Sequence, residues 1–62
     1  TGRTALELAA SKGHTEVVRA LLERGADVTA RTELGETPLW SAAHNGHAAA
    51  AELLLQHRAD PN

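Results

Sequence analysis

Gly2-Arg3-Thr4-Ala5-Leu6 and Gly35-Glu36-Thr37-Pro38-Leu39 stand 33 residues apart, and the likeness continues downstream. Ala9-Ala10 recurs as Ala42-Ala43, Gly13-His14 as Gly46-His47, Leu21-Leu22 as Leu54-Leu55, and Ala26-Asp27 as Ala59-Asp60. The residues that match are glycines, a capping threonine and small or branched apolar side chains, so the repeated object is a scaffold. A period near 33 marks stacked units, each too small to bury its own apolar face.

Each copy reads as helix, tight turn, helix and extended loop. In the first, Thr4 is a good N-cap for a short helix carrying Leu6, Leu8, Ala9 and Ala10, and Glu7 three residues on completes a capping-box pattern. Gly13 stops that helix by taking a left-handed conformation closed to most residues. Thr15 is the expected cap of the second helix. There Val17, Val18, Leu21 and Leu22 share a core-facing stripe, with Glu16, Arg19 and Glu23 opposite. Gly25 ends it, residues 27–30 read as extended, and residues 31–35 as a turn.

The second copy follows suit. Thr37 caps, and Pro38 occupies the first helical position, where its missing N–H costs nothing. Leu39, Ala42 and Ala43 are the inward residues of its first helix. A second helix is expected over residues 48–57, with Ala50, Ala51, Leu54 and Leu55 inward. Two valines of copy one have become Ala50 and Ala51, and Arg58 stands in the slot of Gly25. On sequence, copy two is the weaker unit.

Composition narrows the function. The chain has 62 residues, and a formal net charge of −2 with both signs spread along it gives no footprint for nucleic acid or an anionic membrane. No apolar run approaches the roughly 20 residues that span a bilayer. There is no cysteine, which fits a reducing, intracellular setting, cytoplasmic or nuclear. The start is no signal peptide and carries no initiator methionine, so the chain is expected to be a piece of a longer array.

At this point the residues resemble a known family. Gly35-Glu36-Thr37-Pro38-Leu39, Ala9-Ala10, Gly13-His14, Glu16-Val17-Val18, Leu21-Leu22 and Gly25-Ala26-Asp27-Val28 are similar, in order and spacing, to the ankyrin repeat. The resemblance implies an all-α fold: an α-solenoid of two stacked helix-turn-helix units, residues 1–34 and 35–62, joined by a hairpin-like loop. It implies a non-catalytic module that binds another protein through loop tips and a concave helix face. Matched by position, the partner-binding candidates are Arg3, Ser11, Lys12, Arg31, Glu33, Leu34, Glu36, Trp40, His44 and Asn45, with Arg24 and His57 as further variable surface slots. The chain departs from the family pattern at Glu7 and Trp40, where a histidine is usual. It departs again at Thr32 for aspartate, Thr29 for asparagine and Arg58 for glycine. Asn62 keeps the asparagine that is an oxygenase substrate in some relatives, with Leu54 eight residues before it.

Sharper chemistry finds little support. His44 and His47 flank a helix-ending glycine, and His14 and His47 share one scaffold position, so they do not read as a metal site. Ser11 and Ser41 have no histidine and acid at readable spacing, so no catalysis and no cofactor are expected. Trp40, the only aromatic, reads either as packing between units, filling space left by Ala50 and Ala51, or as a binding hot spot. Leu34, apolar at a loop tip, reads either as scattered surface or as a partner anchor. The alternative to a binding module is a set of structural spacer repeats that stack on neighbours or self-associate through exposed repeat faces.

Overall fold

Thr4 and Thr37 open corresponding helices by the same bond. Each backbone is extended, and each hydroxyl accepts the N–H three residues on, from Glu7 and from Trp40, at 3.1 Å in both cases. In the computed structural model, which describes residues 4–57, α1 runs Ala5–Lys12, α2 Thr15–Glu23, α3 Pro38–His44 and α4 Ala48–Gln56. The sequence readings at Arg3, Arg58 and Asn62 lie outside the described residues. No strand occurs among the described residues, as expected for an all-α solenoid.

The chain reverses between the helices of each pair at Gly13-His14 and Gly46-His47. At the first, Gly13 N–H bonds to the Ala10 carbonyl and His14 N–H to that of Ala9. At the second, Gly46 bonds to Ala43 and His47 to Ala42. These paired bonds satisfy carbonyls that a helix end leaves without partners. α1 packs on α2 and α3 on α4, while α1 lies against α3 and α2 against α4. The four helices thus form two layers, joined by one core of Leu6, Ala9, Ala10, Val18, Leu22, Leu39, Ala42, Ala50, Leu53 and Leu54.

Several details differ from the sequence reading. Thr15 is the first residue of α2 and not its cap; His14 precedes the helix without a side-chain bond, and the Thr15 hydroxyl donates to the Gly13 carbonyl at 3.4 Å. Residues 27–30 are not wholly extended. Asp27 draws Val28 and Thr29 into a turn by accepting from the Thr29 N–H at 2.8 Å and its hydroxyl at 2.6 Å. Ala43, read as inward, is exposed.

The largest correction concerns the core stripe. Val17 is 50% exposed, but Ala50, its counterpart 33 residues on, is fully buried. Leu22 is 5% exposed, but its counterpart Leu55 is 52% exposed. Leu8 and Ser41, and Trp40 and Glu7, divide in the same way, one exposed and one buried. The cause is position in the stack. Each helix pair has a neighbour on one side only, so a side chain turned toward the joint is covered and its counterpart on an end face is not. The change from Val17 to Ala50 therefore removes no carbons from the core. Leu53, at the position of the exposed Ala20, adds four. Ala50 therefore does not weaken copy two.

Candidate functional site

The loop between α2 and α3 is built around one hydroxyl. Thr32 Oγ1 accepts from the N–H groups of Leu34 and Glu36, each at 3.2 Å, and donates to Glu36 Oε1 at 3.5 Å. Its backbone closes the same turn, with Thr32 N–H to the Glu36 carbonyl and Gly35 N–H to the Thr32 carbonyl, both 2.9 Å. A threonine oxygen thus does what a short acidic side chain does in a turn, accepting from N–H groups ahead of it. On the tip so braced, Leu34 is 84% exposed, with Arg31 and Glu33 exposed beside it and Glu36 half-buried.

A second group of candidates gathers at the C-terminal ends of α1 and α3. Asn45 Nδ2 donates to both the carbonyl and the hydroxyl of Ser11, each at 3.0 Å, tying the two units together there. Lys12 and His44 are exposed next to these residues in sequence. Trp40 stands outside the core cluster that contains Ala50. It is 42% exposed, and its indole stacks on the His44 ring with centroids 4.6 Å apart and planes 10° from parallel. One helical turn separates the two along α3, which suits face-to-face rings. The loop precedes α3 and Asn45 follows it, so about 10 Å of helix lies between the two groups. The fold gathers the candidates into two places rather than one.

Two contacts that the sequence did not disclose hold these places in register. Ser41 Oγ donates to Glu7 Oε2 at 2.6 Å, with both side chains buried. The His47 ring lies directly over Gly13, so close that a Cβ there would come 2.5 Å from its Nδ1. The recurrence of Gly-His hinted at the second contact. Nothing in the sequence pairs residues 34 apart for the first.

Electrostatics are mild. Its hydrogen bonds from the Thr29 hydroxyl and then from the Thr29 N–H hold the Asp27 carboxyl below the usual aspartate range. Arg19 Nε reaches Glu16 at 3.6 Å on an open helix surface, a pair worth a few tenths of a kcal/mol, ~0.3–0.5. Among the described residues no group of three His, Cys, Asp or Glu side chains is placed to hold a metal ion, and no helix is long and apolar enough to cross a membrane.

The helix pairs, their positive-φ glycines and the threonine caps coincide with a sequence profile described as ankyrin repeats (3 copies), which matches residues 1–62. The chain belongs to the ankyrin-repeat family. Ankyrin repeats are generally non-catalytic and generally mediate protein–protein interaction. Among relatives, the chain is 44% identical over all its 62 residues to "Ankyrin repeat and KH domain-containing protein mask-1" of Caenorhabditis elegans. It is 43% identical over 60 residues, 97% of its length, to "Protein phosphatase 1 regulatory subunit 12A" of Mus musculus. Over 53 residues, 86% of its length, it is 45% identical to "Probable E3 ubiquitin-protein ligase XBOS33" of Oryza sativa subsp. japonica. The chain spans 2%, 6% and 10% of the lengths of these three relatives.

Proposed function

We propose that this ankyrin-repeat chain is a non-catalytic module that binds another protein inside the cell, with the loop of residues 31–36 as its principal contact. The observation that carries this reading is Leu34, 84% exposed on a turn held by five hydrogen bonds that all involve Thr32. Single exposed leucines are ordinary. One on a braced tip differs in that its backbone is already ordered, so docking it sacrifices less conformational freedom than docking a loose loop. Arg31, Glu33 and Glu36 around it sum to one net negative charge, which matches a partner offering an apolar pocket with a basic rim. Lys12 and Asn45, at the far end of α3, form the secondary contact.

The test compares proteins retained from a cell extract by the chain, by L34D and by T32V, with helicity followed by circular dichroism. Proteins held by the parent chain should be lost from L34D at unchanged helicity. T32V, which keeps the leucine but loosens its backbone, should retain them weakly. An identical set on L34D means the loop is not the contact.

A further inference from the structure

Asn45-Gly46 is the only Asn-Gly pair in the sequence; copy one has Lys12-Gly13 at the corresponding positions. An asparagine side chain is chemically labile where the backbone nitrogen of the next residue can reach it. That nitrogen attacks Cγ, ammonia leaves, and a cyclic succinimide closes. Water then opens the ring to an aspartyl or an isoaspartyl residue. Glycine hinders the attack least of all following residues, because it has no Cβ and leaves its backbone the most freedom. Asn45 and Gly46 are both exposed, and nothing lies within 4 Å of the position a Cβ would take on Gly46, so water and base reach the pair.

The fold holds the reacting atoms apart. Asn45 ends α3 with ψ at 6°, and ring closure needs the Gly46 nitrogen swung round until it eclipses the Asn45 Cβ. That swing is blocked while Gly46 N–H bonds to the Ala43 carbonyl at 3.1 Å and His47 N–H to that of Ala42 at 2.8 Å. The side chain is anchored as well. Its Nδ2, the atom that leaves as ammonia, donates to the carbonyl and hydroxyl of Ser11 at 3.0 Å each. Reaction therefore needs the turn between α3 and α4 opened and Asn45 released from α1.

The product does not fit the place it came from. An aspartate there has no N–H to offer, so its oxygens face the Ser11 carbonyl acceptor to acceptor. An isoaspartate routes the main chain through its own side chain, which lengthens the backbone and moves Gly46 and His47 out of register with Ala43 and Ala42. The His47 ring also covers Gly13, so the shift reaches α1 a second time.

We propose that Asn45-Gly46 is a deamidation site guarded by the joint between the two units. It reacts with water when the joint opens, and its product keeps the joint from closing as before. An opening that would otherwise reverse is written into the covalent structure.

The test incubates the 62-residue chain at neutral pH and follows aspartate and isoaspartate at residue 45 by peptide mapping and mass spectrometry. A peptide of residues 40–50, in the same buffer, gives the unguarded rate. The folded chain should convert at least about tenfold more slowly than the peptide. Its rate should climb about tenfold for each 1.4 kcal/mol of stability removed, whether by S41A, which acts on the joint away from Asn45, or by sub-denaturing urea, which needs no variant. N45D, which supplies the aspartyl product directly, should melt below the parent chain. Equal rates in chain and peptide, a chain rate indifferent to urea, or an N45D melt that coincides with the parent's overturns the proposal.

Discussion

The Ser41 hydroxyl donates to the Glu7 carboxylate across the joint at 2.6 Å, with both groups shut away from water. A hydrogen bond to a carboxylate contributes more than one between neutral groups. S41A should therefore cost about 1.5–3 kcal/mol, a fall of roughly 4–8 °C in melting temperature for each kcal/mol in a chain of this size. L8A, at the counterpart position on an open end face, should cost far less. Thermal melts of the two variants side by side check the contrast.

Gly13 and Gly46 both have positive φ, 72° and 78°, and differ in what lies above them. Alanine at either pays about 1 kcal/mol for the left-handed backbone. At Gly13 the new methyl also collides with the His47 ring, while Gly46 is open. Urea midpoints should show G13A less stable than G46A, and the added change H47A should recover most of the excess.

Thr32 predicts a local effect. T32V removes the acceptor for the Leu34 and Glu36 N–H groups, so amide exchange at those two residues should quicken, by a factor of about ten for each 1.4 kcal/mol lost. T32D, which supplies acceptor oxygens, should keep exchange slow. Helix amides of α1 should not change in either variant.

Asp27 ties the loop to acid. Its pKa is held down in the folded chain, so the unfolded chain takes up the proton first as pH falls. The contribution is fully present above the ordinary aspartate value of about 3.9 and disappears as pH drops through that value and then through the lowered one. The stability gap between the parent chain and D27N should be constant from neutral pH to about pH 5 and close below about pH 4. Denaturant midpoints at a series of pH values measure it.

The helices, the caps Thr4 and Thr37 and the glycine stops were legible in the sequence because each is set by residues within a turn or two. Burial was not. A helical wheel gives Val17 and Val18 equal claim to the core, but only Val18 is covered, because α4 lies on one flank of α2 and no described helix lies on the other. V18A should accordingly cost about 1.5–2 kcal/mol and V17A well under half of that, which equilibrium unfolding would resolve. Trp40 escaped for the same reason: its counterpart Glu7 is a joint residue, and the sequence does not say which copy has a neighbour on that side. In the loop, Thr32 looked like a departure from the family pattern, whereas its hydroxyl serves the acceptor role itself. Ser41 and Glu7 were unreadable as a pair because partners 34 residues apart leave no local signal.

That same separation has a kinetic consequence. Among the described residues, the ties Ser41 to Glu7 and Asn45 to Ser11 each span 34 positions of chain, one more than a single repeat. Closing a loop of that length carries a fixed entropy, which does not grow when further units are added in the same register. A stack built this way lengthens without lengthening its longest contact. Its nucleation barrier is therefore that of one joint, and growth beyond it proceeds by a step of constant size.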